Sequence, residues 1–374
     1  MAGPAPIVKR FREVYPSSGE PRVWRAPGRV NLIGEHTDYN LGRVLPMAIQ
    51  LECAVATAAF DGNVLRVISD QLSRGAQWRI DDIPNLEPQG DWSDRVAGIA
   101  WELARRGVTI EPQNVLISST VPLGGGLSSS AALGVALALA LGGARDPLEL
   151  AQVARAAEMD FVGVPCGIMD QFVSTHGQAG AAILLDCRSF EFRPVKLPQE
   201  IAVVAANSMV KHDLGNSAYR RRVEECADAA RLLGVASLRE ATADRLKELS
   251  GVPLKRARHV VTENIRVERF AAAAQRGDPE EMGRAMIESH RSLRDDYEVS
   301  CAELDFLVET ALEVPGVFGA RLTGGGFGGC TVNLVRREAV NGLEAALISS
   351  YRAAFGRTPE IHVCAASAGA SQLI

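Results

Sequence analysis

The sequence is short of the residues that mark most specialised chemistries. Of 374 residues, 5% are aromatic and six are histidine. His176, His259, His290 and His362 stand isolated, with no His-Glu-x-x-His and no paired Cys-His spacing, which argues against zinc. The seven cysteines, at 53, 166, 187, 226, 301, 330 and 364, are odd in number and never form Cys-x-x-Cys. A disulfide framework is not expected, and a reducing compartment fits. No run reaches the roughly 18 apolar residues of a membrane helix; "AALGVALALALGGA" (131–144) stops short and suits a buried helix. The opening "MAGPAPIVKRFREVYP" has no apolar core of a secretory signal, so a cytoplasmic protein is expected. Basic residues are not in excess: 40 Lys and Arg face 45 Asp and Glu, for a net charge of −5, which argues against a general affinity for nucleic acid. The Arg220-Arg221-Arg222 cluster is followed at once by Glu224 and Glu225 and reads as a solvated helix face. There is no Gly-x-Ser-x-Gly elbow of a serine hydrolase, no Walker A Gly-Lys-Ser/Thr, no tandem repeat and no low-complexity linker.

What is present is an ordinary globular composition, 47% hydrophobic and 23% charged, over a length that suggests about two domains with a cleft between them. "CAVATAAF" and "NVLRVISD", separated by Asp-Gly-Asn, predict a β-hairpin. "DRVAGIAWELARRG" predicts a helix and "QNVLISSTV" a strand. A glycine-rich loop then runs into an apolar helix, and "PLELAQVARAAEMDFVG" adds another with Pro147 near its start. "AGAAILLDC" and "EIAVVAANS" read as strands, and long amphipathic helices dominate from about 218. The last segment predicts strand, glycine loop, strand and a helix from about 338. The class is α+β, with a soft boundary near 195 at "RPVKLPQE".

Three stretches carry chemistry. "RAPGRVNLIGEHTDYN" (25–40) sets Arg29, Glu35, His36 and Asp38 around an apolar "VNLI". A polar turn accounts for its Pro-Gly and Asp-Tyr-Asn but not for the grouped charges; "VNLI" reads as a buried strand separating two polar groups. "PLGGGLSSSAA" places Gly124, Gly125 and Gly126 before a helix, where free N–H groups and the helix dipole suit phosphate. Ser128, Ser129 and Ser130 supply hydroxyls for phosphate or a cation, although a serine-capped turn explains the loop about as well. "LTGGGFGG" (322–329) is a second glycine loop, and the pair favours a nucleotide site. Asp170, flanked by Met169 and Phe172, predicts partial burial and needs a partner. Arg29 is the candidate, a permanent cation able to orient the carboxylate and stabilise phosphate charge. Glu158 lies twelve residues earlier; on local pattern it reads first as a surface residue, but the Gly-Val-Pro-Cys-Gly turn between could bring both carboxylates into one cleft.

These three stretches resemble the three motifs of the GHMP small-molecule kinases. The Gly-Glu-His-Thr-Asp-Tyr of the first resembles the galactokinases among them, as do "VPCGIMDQF", "ARHVVTEN" and "SLRDDYEVSCAELD". The resemblance implies a two-lobed fold: an N-terminal ribosomal-protein-S5-like domain (1–195), a C-terminal ferredoxin-like α/β-sandwich domain (196–374), and an active site in the cleft. It implies ATP-dependent phosphorylation of the 1-hydroxyl of galactose to galactose 1-phosphate and ADP, the first step of galactose (Leloir) metabolism. The alternatives are a sister kinase for N-acetylgalactosamine or another hexose, or a catalytically silent galactose sensor, against which intact Ser128–Ser130, Arg29 and Asp170 argue. Carried over by position, Asp170 and Arg29 would be catalytic, and Glu35, His36, Thr37, Asp38, Gly167 and Tyr219 would bind sugar. Gly124, Gly125, Gly126, Leu127, Ser128, Ser129 and Ser130 would hold ATP, with Ser130 and Glu158 on Mg2+. Tyr219 follows Ser217-Ala218 where the family has Ser-Glu. The expected partners are galactose and ATP, with neither nucleic acid nor membrane, and the expected state is a monomer.

Overall fold

The computed structural model describes residues 3–211 and 215–374. The first lobe runs α1 (Ala5–Val14), β1 (Arg22–Asn31), β2 (Arg43–Val44), β3 (Pro46–Ala59), β4 (Val64–Ser69), β5 (Arg74–Arg79), α2 (Asp94–Arg105), β6 (Gln113–Ser119), α3 (Ser129–Gly142), α4 (Pro147–Ala156), α5 (Met169–His176), β7 (Ala182–Asp186) and β8 (Phe192–Val195). The second runs β9 (Ile201–Lys211), α6 (Gly215–Leu232), α7 (Gly251–Arg276), α8 (Pro279–Asp295), α9 (Ala302–Leu312), β10 (Val317–Thr323), β11 (Gly328–Arg336), α10 (Val340–Phe355) and β12 (Glu360–Cys364); β13 (Ser371–Gln372) follows. This is the two-lobed α+β architecture the sequence predicts.

Three sheets organise it: β13-β1-β3-β6-β4-β5 and β2-β7-β8 in the first lobe, β10-β11-β9-β12 in the second. The expected hairpin of β3 and β4 does not form. β6 lies between them, antiparallel to β3 and parallel to β4, whose antiparallel partner is β5. The Asp-Gly-Asn turn is real chemistry, but β6 brings a full apolar face, Val115 to Ile117, that fills the central position. The division near 195 falls between β8 and β9, and β13 crosses back to pair with β1 through Trp24 and Arg25.

Helix α3 explains why the glycine loop is held firmly. Its Ala- and Leu-rich sequence favours helix on every side, and residues Ala131, Ala132 and 134–141 are all buried, as befits a helix surrounded by protein. It packs on β1, β3, α2, α4 and α5; Leu137→Ala, at a fully buried position, would cost about 2–5 kcal/mol. The next helix begins at Pro147, with the Asp146 carboxylate accepting from the Leu148 N–H at 2.8 Å, an ordinary N-cap. Among the described residues no single helix is long and apolar enough to cross a membrane; α3 and residues 147–161 pass that test only together, bent by 116°.

The strand expected at "VNLI" ends at Asn31, and Leu32 and Ile33 are buried in the bend that follows. Strand β1 also shifts register between Pro27 and Arg29. A bulge of this kind re-aims a side chain, here that of Arg29. Gly28 sits inside it because a Cβ there would lie 2.7 Å from the Leu127 carbonyl oxygen.

Candidate active site

A cleft of about 610 Å³ opens between the lobes, lined by Arg29, Glu35, His36 and Asp38, by Gly124, Gly126 and Ser130, by Glu158, Gly167 and Asp170, and from the second lobe by Tyr219 and residues 323–329. Residues from all three sequence motifs therefore share one wall.

At its centre Arg29 and Asp170 form the predicted pair. Arg29 Nε donates to Oδ1 at 2.8 Å and Nη2 to Oδ2 at 2.9 Å, the bidentate geometry that a guanidinium fork provides. Nη1 donates to the Gly126 carbonyl at 2.6 Å, and the Arg29 N–H to the Leu127 carbonyl at 3.1 Å, so the cation is tied to the glycine loop as well. Burial works against the charge on Arg29, but Asp170, Glu35 and Asp38 together outweigh it and raise the pKa further. Ser128 completes the group: its Oγ donates to Asp170 Oδ2 at 2.5 Å. Ser128 takes a left-handed φ of 61° and makes no capping bond to α3, so the serine-capped turn is the wrong explanation of this loop.

Of the expected phosphate loop, Gly124, Gly126 and Ser130 face the cleft, while Gly125, Leu127, Ser128 and Ser129 do not line it. Leu127 is wholly buried in the core. The Gly125 carbonyl accepts from Cys330 Sγ at 2.6 Å, and a Cβ on Gly126 would lie 3.5 Å from Thr323 O and Cys330 N. The two glycine loops thus pack against each other across the lobes, which explains why their meeting points, Gly126, Gly324 and Gly329, carry no side chain.

The 35–38 segment divides differently from expectation. Thr37 is corrected: its hydroxyl donates to the Gly34 and Arg43 carbonyls at 2.9 and 2.7 Å, and the residue is fully buried away from the cleft. Glu35 lines the cleft, yet its Oε1 accepts from the Gly324 N–H at 2.7 Å and Thr323 Oγ1 at 3.0 Å, with Arg321 Nη2 at 3.2 Å. That oxygen joins the lobes. Asp38 lies against Gly167, where a Cβ would come within 1.7 Å of Oδ2. Burial, with Asp170 nearby, pushes the Asp38 carboxyl up to about 6. Burial pulls His36 down to about 3, assisted by His259, so its imidazole is neutral. Tyr219 stands 5.5 Å, between ring centroids, from His36, and burial raises its phenol well above the usual value.

Glu158 is not on the open surface. It lies in a π-turn after α4, with Oε1 accepting from Arg95 Nη1 at 2.9 Å and Oε2 from Gln171 Nε2 at 3.0 Å. Together with Ser130 it offers oxygen donors of the hard type that suits Mg2+, and both face the cleft; no group of three or more His, Cys, Asp and Glu side chains placed to hold a metal ion by themselves occurs among the described residues. The residues sequence reasoning missed are the supports: Arg95 and Gln171 behind Glu158, Arg321 and Thr323 behind Glu35, and Tyr39 and Tyr297 beside His36. Tyr39, Gln171, Tyr297 and Thr323 stand inside the stretches that carry the family resemblance and could have been found there; Arg95 and Arg321 lie outside them.

Residues 9–59 match the galactokinase galactose-binding signature, 94–178 the GHMP kinase N-terminal domain and 270–353 the GHMP kinase C-terminal domain. The chain is 45% identical to a galactokinase of Chloroflexus aggregans (94% of this chain, 93% of the relative) and 46% identical to the galactokinase of Homo sapiens (88% of each). In structure it matches a Lactococcus lactis galactokinase complexed with galactose, with a TM-score of 0.92, 32% identity and 98% and 99% of the two chains covered. A mevalonate kinase of Methanococcus jannaschii, at 20% identity and a TM-score of 0.69 over 92% and 98%, shares the fold. With its own glycine loops, Arg29–Asp170 pair and motif around Asp38 gathered in one cleft, the chain belongs to the galactokinase family of GHMP kinases.

Proposed function

We propose that the protein transfers the γ-phosphoryl group of ATP to the 1-hydroxyl of galactose, releasing galactose 1-phosphate and ADP. The observation that carries the reading is the Arg29–Asp170–Ser128 group, held where the glycine loop meets the 35–38 segment. Phosphoryl transfer needs positioning and charge stabilisation more than covalent chemistry. Arg29 faces the transferring phosphoryl group with a fixed positive charge. Asp170, held in place by its fork of hydrogen bonds from Arg29, orients the sugar hydroxyl and takes its proton as the O–P bond forms. Gly124 and Gly126 let the backbone approach the phosphates, and the positive end of α3 supports them. His36, Asp38 and Tyr219 contact the sugar, and Glu35 does so through its second carboxylate oxygen. Fixed polar partners of this kind reject the wrong stereoisomer.

Ser130 and Glu158 would hold Mg2+, consistent with their oxygen donors and shared cleft. Bound there, the cation would neutralise phosphate charge. The same reading divides the chain at 195/196 into two domains, with residues 371–372 belonging to the first. It takes the enzyme as a cytoplasmic monomer that needs neither nucleic acid nor membrane; all seven cysteines are free, in keeping with a reducing compartment.

The test is ADP release measured over a panel of hexoses, with and without Mg2+. Galactose- and Mg2+-dependent turnover is expected. Faster turnover of N-acetylgalactosamine would make the protein a sister kinase, and no hexose-dependent release would make it a sensor.

A further inference from the structure

A buried chain of hydrogen bonds runs behind His36. Cys226 Sγ lies 3.0 Å from Tyr297 Oη, Tyr297 Oη lies 2.6 Å from Tyr39 Oη, and Tyr39 Oη lies 2.9 Å from His36 Nδ1. Cys226 and Tyr297 are 2% and 0% exposed. The imidazole is boxed by three tyrosine rings, with centroids at 4.7 Å (Tyr297), 5.5 Å (Tyr219) and 5.9 Å (Tyr39), which fixes its plane. The residue lines the cleft; its other nitrogen, Nε2, is buried and has no side-chain hydrogen-bond partner among the described residues, with the Gly325 backbone close enough to favour a proton on the ring.

Chemistry gives the chain a direction. A neutral imidazole nitrogen is a strong acceptor, a phenol a good donor, and a thiol weak as either. The arrangement with the best bonds has Tyr39 Oη–H donating to Nδ1, Tyr297 Oη–H donating to Tyr39 Oη, and the thiol in the weakest place at the far end. With its phenol pushed far up by burial and its neighbours, Tyr297 keeps its proton, as does Tyr39. The nitrogen that carries the imidazole proton is set by the bond the other one makes. On the cleft side, the Gly325 backbone favours a proton on the ring, while His259, Arg222 and Arg321 disfavour a second one.

We propose that Tyr39 and Tyr297 are positioning residues for the sugar: with Cys226 they lock His36 in the Nε2–H tautomer, so that it meets the hexose as a hydrogen-bond donor. The inference rests on the sugar-kinase reading above and adds a division of labour to it. Asp38 and Glu35 are carboxylates that accept from hydroxyl groups; His36 supplies the opposite polarity, so one hydroxyl must present a lone pair while its neighbours present protons.

The test begins without substrate. In 15N-histidine-labelled protein free of sugar and ATP, long-range 1H–15N correlation distinguishes the tautomers, with the His36 signals identified by their loss in His36→Asn. The expected wild-type result is an unprotonated Nδ1 and a protonated Nε2 from pH 5.5 to 8. Tyr39→Phe should mix the tautomers and raise KM for galactose about tenfold, the worth of one lost hydrogen bond, with KM for ATP unchanged. Tyr297→Phe, which keeps the ring in its buried site, should do the same to a lesser degree. An Nδ1–H form or a doubly protonated ring in the wild type overturns the proposal, as does a tautomer unmoved in both variants. Because the spectra need no turnover, failure of the galactose reaction itself would leave this result readable.

Discussion

Arg29 and Asp170 stand 141 positions apart in sequence, yet their side chains meet through two parallel hydrogen bonds of 2.8 and 2.9 Å. The pair is asymmetric: the arginine side chain is 5% exposed and the aspartate 29%. Removing the carboxylate therefore leaves a buried cation without its partner. Asp170→Asn, which keeps the shape, is expected to lower kcat by roughly 10²–10⁴-fold with a small change in melting temperature. Asp170→Ala should lose as much activity and destabilise by about 1–3 kcal/mol, below the cost of breaking a fully buried pair. Steady-state kinetics beside thermal melts separates the two effects; near-normal turnover of either variant removes Asp170 from the chemistry.

Gly167 has a different reason to be glycine. Its φ is unexceptional, but a Cβ would collide with the Asp38 carboxylate at 1.7 Å. Gly167→Ala must displace one or the other, and Asp38 is a side chain proposed above to contact the sugar. KM for galactose should rise at least about tenfold, corresponding to roughly 1.4 kcal/mol, while KM for ATP changes little. Equal rises in both constants would point instead to a general disturbance of the cleft.

Asp38 gives stability a pH dependence of unusual sign. Its folded pKa, about 6, lies above the ordinary 3.8, so between these values the folded state binds more protons than the unfolded one. Stability from this group is present at low pH and is lost as pH rises through 6, by about 3 kcal/mol in all. Asp38→Asn should flatten that slope: relative to wild type it should melt higher at pH 7.5 than at pH 5. If the difference between the two proteins is the same at both values, the carboxyl is not held in this way. Galactose binding should show the converse, because an ionised Asp38 is the better acceptor, and kcat/KM for galactose should fall as pH drops below about 6.

Glu158 is tethered at both oxygens, by Arg95 and by Gln171. Glu158→Gln keeps the volume and removes the charge, and half-maximal activity should then need several-fold more Mg2+, a mutational cost within the 10–100-fold common around metal sites. A Mg2+ titration of activity checks this; an unchanged midpoint would leave Glu158 with a structural role only, as the partner of Arg95 and Gln171.

How far the sequence could be read depends on the range of each interaction. The Arg29–Asp170 pair was accessible because a partly buried aspartate demands a partner and a guanidinium is always charged. Helix α3 was accessible because its apolar run is local. The second task of Glu35, joining the lobes, was not legible: its Oε1 partners, Thr323 and Gly324, lie 288 and 289 positions away, beyond any local pattern. Thr37 was misjudged for the opposite reason, since its hydroxyl serves carbonyls three and six residues away, a turn role hidden by the company of His36 and Asp38. The β3–β4 hairpin failed because turn chemistry sets a bend and not a neighbour, and β6 offered the better face. Strand β5, short and largely exposed, gives little periodic signal.

The return of β13 to β1 sets an order of events during synthesis. Strand β1 carries Arg29, and its outer edge at Trp24 and Arg25 is paired by Ser371 and Gln372. Until the ribosome has made those residues, some 350 positions after the strand they cover, the outer edge of the strand that carries Arg29 stays open, and an open edge invites pairing with other chains. The enzyme's most vulnerable surface is thus one that the finished molecule does not have.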